Sequence, residues 1–527
     1  MSSYARVLVR LTVCAIGLAS VGTDAESPLP SIVILLADDL GYGDVGYLHR
    51  GTNRAKTPFI DAMAAAPSAI QFNRFHSEIS CTPSRHSILT GRSPVRDCCL
   101  GAPVGDLPIS GPSTPSVIST LQAAGYQTLH VGKWQEALNT VQSPLKWPSA
   151  LGYTTFDMYD HGGTYSMPCF CFSPTPAQCF RGHQPYGLFQ GDSDGSEYLW
   201  GRPCLLGASP NATTHPFPSN EMESKHVADV AIDFITRADP DKPVYVHVAF
   251  RSVHVPYIAS PQLRANCSSA DPSSVCISGQ TLTSKQLDYH GCIVAIDLAV
   301  GRVRDALRTY RKDWQNTIVV FASDNGPEIP SLDGAGSAGG LRGMKRSLFE
   351  GGIRVPMIFE WPARIKQNAV SNALVSLLDL PTTFEAIALG GASSTVYRDG
   401  ESLLPLIDAV GSAWTRKRPV IVCSYVDNSH VAQGYICPQL AIIDTTGTWK
   451  LIVQRGKPRS AVHPGISPIG LYSLGDDNES HNMLSLQPKV AAELRALGWA
   501  WSTDVLGAFT KNCPGYYSTA SPAPVSG

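Results

Sequence analysis

The sequence predicts an α/β protein: a large mixed, mostly parallel sheet flanked by helices on both faces, then a smaller C-terminal subdomain of antiparallel strands plus a helix. Two observations carry this. Apolar runs that end abruptly in polar residues, Ser31 to Ala37 before Asp38-Asp39 and Thr317 to Ser323 before Asp324-Asn325, read as buried parallel strands whose carboxyl ends open onto a site. From about Trp414 the pattern shifts to short strands around the turn Thr445-Thr446-Gly447. At 527 residues the chain suffices for one large domain (30–410) and a smaller unit (411–512), and a net charge of -2 speaks against nucleic-acid binding.

Arg6 and Arg10 precede the apolar run Leu11 to Val21 and small residues through Ala25, the layout of a cleaved secretory signal over 1–25. The run is too short to span a bilayer and no later stretch suffices, so the mature protein is expected to be secreted, lysosomal or otherwise lumenal. Of fourteen cysteines, Cys14 lies in that signal, and an oxidising compartment then leaves an odd thirteen. Setting Cys81 aside gives an even number, which disulfides or free thiols would both satisfy. Cys267 and Cys276, and Cys423 and Cys437, bracket turns and suit local bridges, while the remaining connectivity is open. Sequons at Asn211, Asn266 and Asn478 agree with export.

Along the chain, Thr57 to Ala64 starts a helix and Ile70 to Phe75 alternates like a strand. In Cys81-Thr82-Pro83-Ser84-Arg85, Pro83 fits the first position of a short helix and Gly91 its left-handed stop. Cys81 would then sit just before a helix N-terminus, which favours an anion, with Arg85 one turn on; a plain structural thiol is the other reading. A helix over Ser116 to Ala124, capped by Gly125, leads into a strand from Tyr126 to Val131 that delivers Lys133. Residues 155–225, rich in Gly, Pro, Ser and Cys, read as a disulfide-stapled insertion over the site. A helix over Met222 to Thr236 and a strand from Pro243 to Phe250 follow, with His247 mid-strand as a core residue and His254 just past the end. The helix from Ser284 to Arg311 is scaffold, and Leu377 to Ala388 helps close the large domain. Pro419 to Tyr425, Leu440 to Asp444 and Trp449 to Gln454 are the expected small-unit strands, before a helix from Pro488 to Ala500 and a Ser/Ala/Pro-rich tail (513–527) expected to be disordered.

Asp38, Asp39, Asp324 and Asn325 offer oxygen ligands from two strand ends, a set suited to a hard cation such as Ca²⁺. An aspartate capping a glycine turn is the alternative for the first pair. Lys133 is either a point charge for an anion or a solvated lysine.

Cys81-Thr82-Pro83-Ser84-Arg85, followed by Leu89-Thr90-Gly91-Arg92, resembles the signature of type I sulfatases of the alkaline-phosphatase-like superfamily, and the resemblance extends from about Ser31 to Ala500. It implies hydrolysis of sulfate monoesters, with sulfated carbohydrate as the expected substrate class. It implies that a formylglycine-generating enzyme oxidises Cys81, that the hydrated aldehyde attacks sulfur, and that Asp38, Asp39, Asp324, Asn325 and residue 81 hold a calcium-type ion. Arg85 would stabilise the diol, Lys133 and Lys345 would bind sulfate, His254 in His-x-Pro would contact sulfate and the leaving oxygen, and Ser166 would lie nearby. Glu350 and Arg354, in the Glu-Gly-Gly-x-Arg-Val-Pro segment, are structural.

Gln135 departs from the family's Gly-Lys-Trp-His. The histidine there takes the proton whose loss releases sulfate, and glutamine is no base near neutral pH. One lost proton-transfer group costs roughly 10²- to 10⁴-fold, against total accelerations of about 10⁶ or more, unless His86 or His130 substitutes. Two rivals follow. One is a phosphatase or phosphonate hydrolase of the same fold, with Asp157-Met158-Tyr159-Asp160-His161 as a second metal set; the other is a weakened family member that binds sulfated glycans.

Overall fold

The structure is a computed structural model. It describes residues 28–48, 55–97, 99, 116–134, 152–159, 188–192, 197–200, 214–215, 222–255, 257–268, 282–328, 335–392, 394–409, 414–424, 437, 439–458, 464–475 and 479–512.

Every residue of the first apolar run is buried, which a strand achieves only with both faces covered. In chain order the strands around it are β1 (Ser31–Ala37), β2 (Ala69–Phe72), β3 (Phe75–His76), β4 (Gln127–Lys133), β5 (Thr155–Tyr159), β6 (Leu188–Asp192) and β7 (Glu197–Trp200). They continue as β8 (Thr214–His215), β9 (Val244–Ala249), β10 (Thr317–Ser323), β11 (Met357–Glu360), β12 (Ala369–Ser371) and β13 (Val375–Ser376). Eleven of them form one sheet in the order β12-β2-β11-β10-β1-β9-β4-β5-β6-β7-β8. The strands β11 and β6 run against the rest, so β1, β10, β9 and β4 all end at one edge.

Helices cover both faces. They are α1 (Pro58–Ala64), α2 (Cys81–Thr90), α3 (Val117–Ala123), α4 (Glu223–Arg237), α5 (Pro261–Ser268), α6 (Ser284–Tyr310), α7 (Glu350–Ile353), α8 (Asp379–Ala388) and α9 (Leu404–Asp408). Alternation along β1 divides the core: Val33 and Leu35 pack with residues of α1, α4 and α6, while Ile32, Ile34 and Leu36 pack with α3, α8 and α9. The N-terminus of α6 is fixed by a capping box between Thr283 and Gln286.

A separate antiparallel sheet holds β14 (Val420–Cys423), β15 (Gln439–Ile443), β16 (Trp449–Pro458) and β17 (Pro464–Ser473), accompanied by α10 (Pro488–Asn512). Lys450 of β16 is fully buried and pairs with Glu350 of α7 at 2.8 Å and with Glu479 at 2.5 Å. Glu350 also meets His76 of β3 at 3.1 Å, so its charge ties the small antiparallel sheet to α7 and β3.

Several expectations shift. The stretch from Ile70 to Phe75 is two strands, because the chain turns at Asn73-Arg74 and β3 pairs with β13 in a sheet of its own. Helix α2 starts at Cys81 rather than after it, with Ser80 as its N-cap and Gly91 at φ 64° as its left-handed stop. Pro83 is tolerated in that first turn because the N–H it lacks would have no intrahelical partner. The insertion contains β5 to β8, which prolong the large sheet; their alternation is hidden among loop-forming residues. Neither β11 nor β17 was expected, and α10 runs on to Asn512. The Cys423–Cys437 disulfide is present and Cys267 is disulfide-bonded. Asn266 is exposed on α5. Residues 1–25 and 513–527, Asn211 and Asn478 lie outside the described residues. No described helix is long and apolar enough to cross a membrane.

Gly132, beside Lys133, has φ 102°, and a Cβ there would lie 2.1 Å from the Ala249 carbonyl oxygen. Gly125 has φ 94° with open space around it. Gly125→Ala should therefore cost roughly 1–2 kcal/mol, and Gly132→Ala about 3 kcal/mol because overpacking is added. Equal losses in chemical denaturation would contradict this reading.

Candidate active site

The strand ends at one edge of the sheet deliver the chemistry. Asp38 and Asp39 follow β1, Lys133 ends β4, Arg251 and His254 follow β9, and Asp324 and Asn325 follow β10. On a regular strand the side chains of Asp38 and Asp39 would diverge. Asp39 instead has φ 59°, a left-handed conformation aspartate tolerates better than most, and both carboxylates face Cys81. The Cys81 thiol lies 3.1 Å from Asp38 Oδ1 and 3.7 Å from Asp39 Oδ1.

Each carboxylate has its own ammonium. Lys133 Nζ contacts Asp38 Oδ2, and Lys345 Nζ lies 2.7 Å from Asp39 Oδ1. Arg85, one turn into α2, donates to Asp324 Oδ2 at 2.9 Å and to the Lys133 carbonyl at 3.0 Å, and stands 3.7 Å from Asp38 Oδ2. Asp324 Oδ1 accepts the Asp39 N–H at 3.1 Å. His254 donates through Nδ1 to the Val255 carbonyl at 2.6 Å, which leaves Nε2, 3.8 Å from Asp39 Oδ2, to face the site.

Burial and these charges set the protonation states. Burial opposes ionisation of Asp38, but the cations Lys133, Arg85 and Lys345 outweigh it and hold the carboxyl well below its ordinary range. Burial, reinforced by Asp38, pushes Asp324 up to about 7. Burial, then Asp324 and Asp38, pushes the Cys81 thiol well above its ordinary value, so an unmodified thiol here is a poor nucleophile near neutrality. Burial, then Lys345, Arg251 and Lys133, holds His254 well below its usual value and therefore neutral.

The donors fit a divalent cation. Asp38, Asp39, Cys81 and His254 each offer a ligand atom, all within 4.8 Å of one another. Asn325 adds a sharper sign: Nδ2 donates to Asp39 Oδ1 at 2.7 Å, while its buried Oδ1 has no hydrogen-bond partner. A leftover buried carbonyl beside two carboxylates is a ready ligand for a hard ion.

Cys81, Arg85, Lys133, His254, Lys345, Asp38, Asp39, Asp324 and Asn325 thus converge. Gln135, Ser166, Asp160 and His161 lie outside the described residues, and of Asp157 only its place on β5 is described. Of the two proposed replacement bases, His130 is unsuited to the role, while His86 keeps a buried Nδ1 with no hydrogen-bond partner. His86 Nε2 is held by Asp97 at 3.2 Å, and His130 stacks edge-on against Trp134 while burial and Arg85 lower it to about 3. A base that weak takes no proton near neutrality. His247 is a core residue as expected, though its Nε2 has no hydrogen-bond partner. Arg251 was missed: it is buried, 3.7 Å from Asp38 Oδ2, and its signal was the strand-end position that singled out His254.

A family model described as Sulfatase matches residues 30–390. The chain belongs to the sulfatase family. This sulfatase is a sulfuric ester hydrolase, 31% identical to arylsulfatase G of Rattus norvegicus over 71% of this chain and 67% of that protein. It is 31% identical to arylsulfatase A of Homo sapiens over 73% and 69% of the two chains, and 29% identical to N-acetylgalactosamine-6-sulfatase of Canis lupus familiaris over 75% and 68%. Its fold is shared with Ps i-CgsB, solved in complex with k-i-k-neocarrahexaose, at a TM-score of 0.69 and 21% identity over 94% of this chain and 98% of that one. PsFucS1 sulfatase from Pseudoalteromonas sp. has the same TM-score at 22% identity, over 92% of each chain.

Calcium added to the chelator-treated sulfatase should raise its melting temperature, since a ligand at a hundred times its Kd adds about 2.7 kcal/mol to the folded state. Asp39→Asn, which keeps a residue tolerant of positive φ, should remove most of that shift. An unchanged melting temperature for the wild-type protein in millimolar calcium would mean that this cluster holds no such ion.

Proposed function

We propose that this sulfatase hydrolyses sulfate monoesters of sulfated carbohydrates, with residue 81 converted to formylglycine and Ca²⁺ held by Asp38, Asp39, Asp324, Asn325 and residue 81. The observation that supports it best is the placement of Cys81 against two buried carboxylates, each bound by its own lysine. The carbohydrate class is supported by the names of the relatives, one acting on N-acetylgalactosamine 6-sulfate and one crystallised with a carrageenan oligosaccharide.

When bound, the cation supplies Lewis-acid polarisation of the sulfuryl oxygens. Formylglycine supplies, as its hydrate, the hydroxyl that attacks sulfur. The chain's own groups do the positioning. Arg85 fixes the Asp324 carboxylate and stands beside Asp38, so the acids around residue 81 keep their orientation. Lys133 and Lys345 offset the charge of Asp38 and Asp39 and remain as cations where charge on the sulfuryl group grows. His254, with Nδ1 committed to Val255, offers Nε2 for proton exchange with the leaving oxygen. The signal-like leader and the Cys423–Cys437 disulfide support maturation in the secretory pathway, with delivery outside the cell or to lysosomes. There a formylglycine-generating enzyme would act on Cys81, and Asn211, Asn266 and Asn478 would be open to glycosylation.

Paired assays with an aryl sulfate and the matching aryl phosphate should show turnover of the sulfate. Lys133→Met and Lys345→Met should each lower kcat/KM by roughly 10²- to 10³-fold, with folding checked by circular dichroism. A preference for phosphate, or indifference to both lysines, would overturn the assignment.

A further inference from the structure

Among the described residues, the non-glycine residues with positive φ are Asp39, Arg346 and Glu479. Asp39 is a proposed metal ligand and Glu479 is held by Lys450. Arg346 has no comparable role in the site, and its position is unusual. Met344-Lys345-Arg346-Ser347 is a tight turn closed by Ser347 N–H donating to the Met344 carbonyl at 2.9 Å, and Arg346 occupies its third position at φ 70°. A turn with positive φ there favours glycine or asparagine. A longer side chain costs roughly 1–2 kcal/mol in the left-handed region, so an arginine here points to a use for its side chain.

The turn is tied to the catalytic loops. Lys345 N–H donates to the Pro327 carbonyl at 3.0 Å, just past Asn325, and Arg346 N–H donates to the Ile79 carbonyl at 2.7 Å, just before Cys81. From this one turn the Lys345 side chain goes inward, 3% exposed, to Asp39, while the Arg346 side chain is 56% exposed and reaches Glu328, 3.4 Å away. Glu328 also lies 3.7 Å from Lys345. The same turn therefore offers one cation to the buried centre and a second at its rim. A guanidinium differs from an ammonium in presenting a planar fork of donors that matches an oxyanion in two places at once.

We propose that Arg346 binds a second oxyanion of the substrate, borne near the scissile sulfate, and that Glu328 is the resting partner this oxyanion displaces. This rests on the reading of the protein as a carbohydrate sulfatase and makes its preferred substrate doubly anionic.

The test compares three ligands: a monosulfated hexosamine, the same sugar with a second sulfate, and the monosulfated hexosamine joined to a uronic acid. The second and third distinguish a sulfate from a carboxylate as the extra oxyanion. Arg346→Gly removes the guanidinium and relieves the backbone, so its melting temperature should equal or exceed that of the wild type. Its kcat/KM should fall on the preferred doubly anionic ligand by about ten- to a hundredfold more than on the monosulfated one, through KM. Glu328→Gln removes the competing carboxylate and should shift the preference the other way. Equal losses on all three ligands, or none, would overturn the proposal. Calorimetry with Cys81→Ala protein, with and without Arg346→Gly, reads the same preference without turnover. If the wild-type protein hydrolyses none of the sulfates, the sulfatase reading fails, while an Arg346-dependent binding preference still decides the role of Arg346.

Discussion

Two adjacent carboxylates buried side by side are the constraint on which the rest of this site depends. Taking an ion out of water costs several kcal/mol even after relaxation, and a second like charge beside it adds repulsion. Asp38 and Asp39 are tolerated because Lys133 and Lys345 each take one of them, while Arg85 and Arg251 approach Asp38 from two further elements. The parallel sheet makes this possible. Strands β4, β9, β1 and β10 bring an ammonium, a guanidinium and an imidazole, the paired acids, and the Asp324-Asn325 pair to one edge, and α2 lays residue 81 against them.

That edge was legible in the sequence because burial and function leave different marks on one strand. The runs from Ser31 and from Thr317 are apolar throughout and then turn polar within a residue, which only a buried strand ending at an open site needs to do. The same rule found His254 and Lys133. It applies equally to Arg251, three residues before His254 and just past the end of the same strand. Less legible was what depends on distant partners. The strand β11 is four residues long and antiparallel to its neighbours, so neither length nor alternation separates it from loop. The two short strands around Asn73-Arg74 share one apolar pattern, and only pairing with different partners divides them. The start of α2 was misplaced because Pro83 suits more than one position of a first turn.

The small antiparallel sheet contributes to the site without reaching it. Lys450 is fully buried and would be intolerable alone, but it lies between Glu350 and Glu479, and Glu479 in turn accepts the Glu350 N–H at 2.6 Å. This network anchors α7, whose Gly351 N–H is bound to the Arg342 carbonyl at 2.7 Å, closing the loop that carries Lys345. The position of Lys345 thus depends on charges supplied by a sheet some hundred residues later in the chain. No sequence pattern marks that dependence, because a lone lysine in a strand reads as solvated until its partners are known.

The proposed conversion of residue 81 to formylglycine gives the carboxylates, lysines and arginines around it a common use. The most direct measurement is the mass of the tryptic peptide containing residue 81, from protein purified out of a secretory host. An aldehyde in place of the thiol, lost when Cys81 is replaced by alanine, is the expected result. An unmodified cysteine in protein that nevertheless hydrolyses sulfate esters at full rate would contradict it.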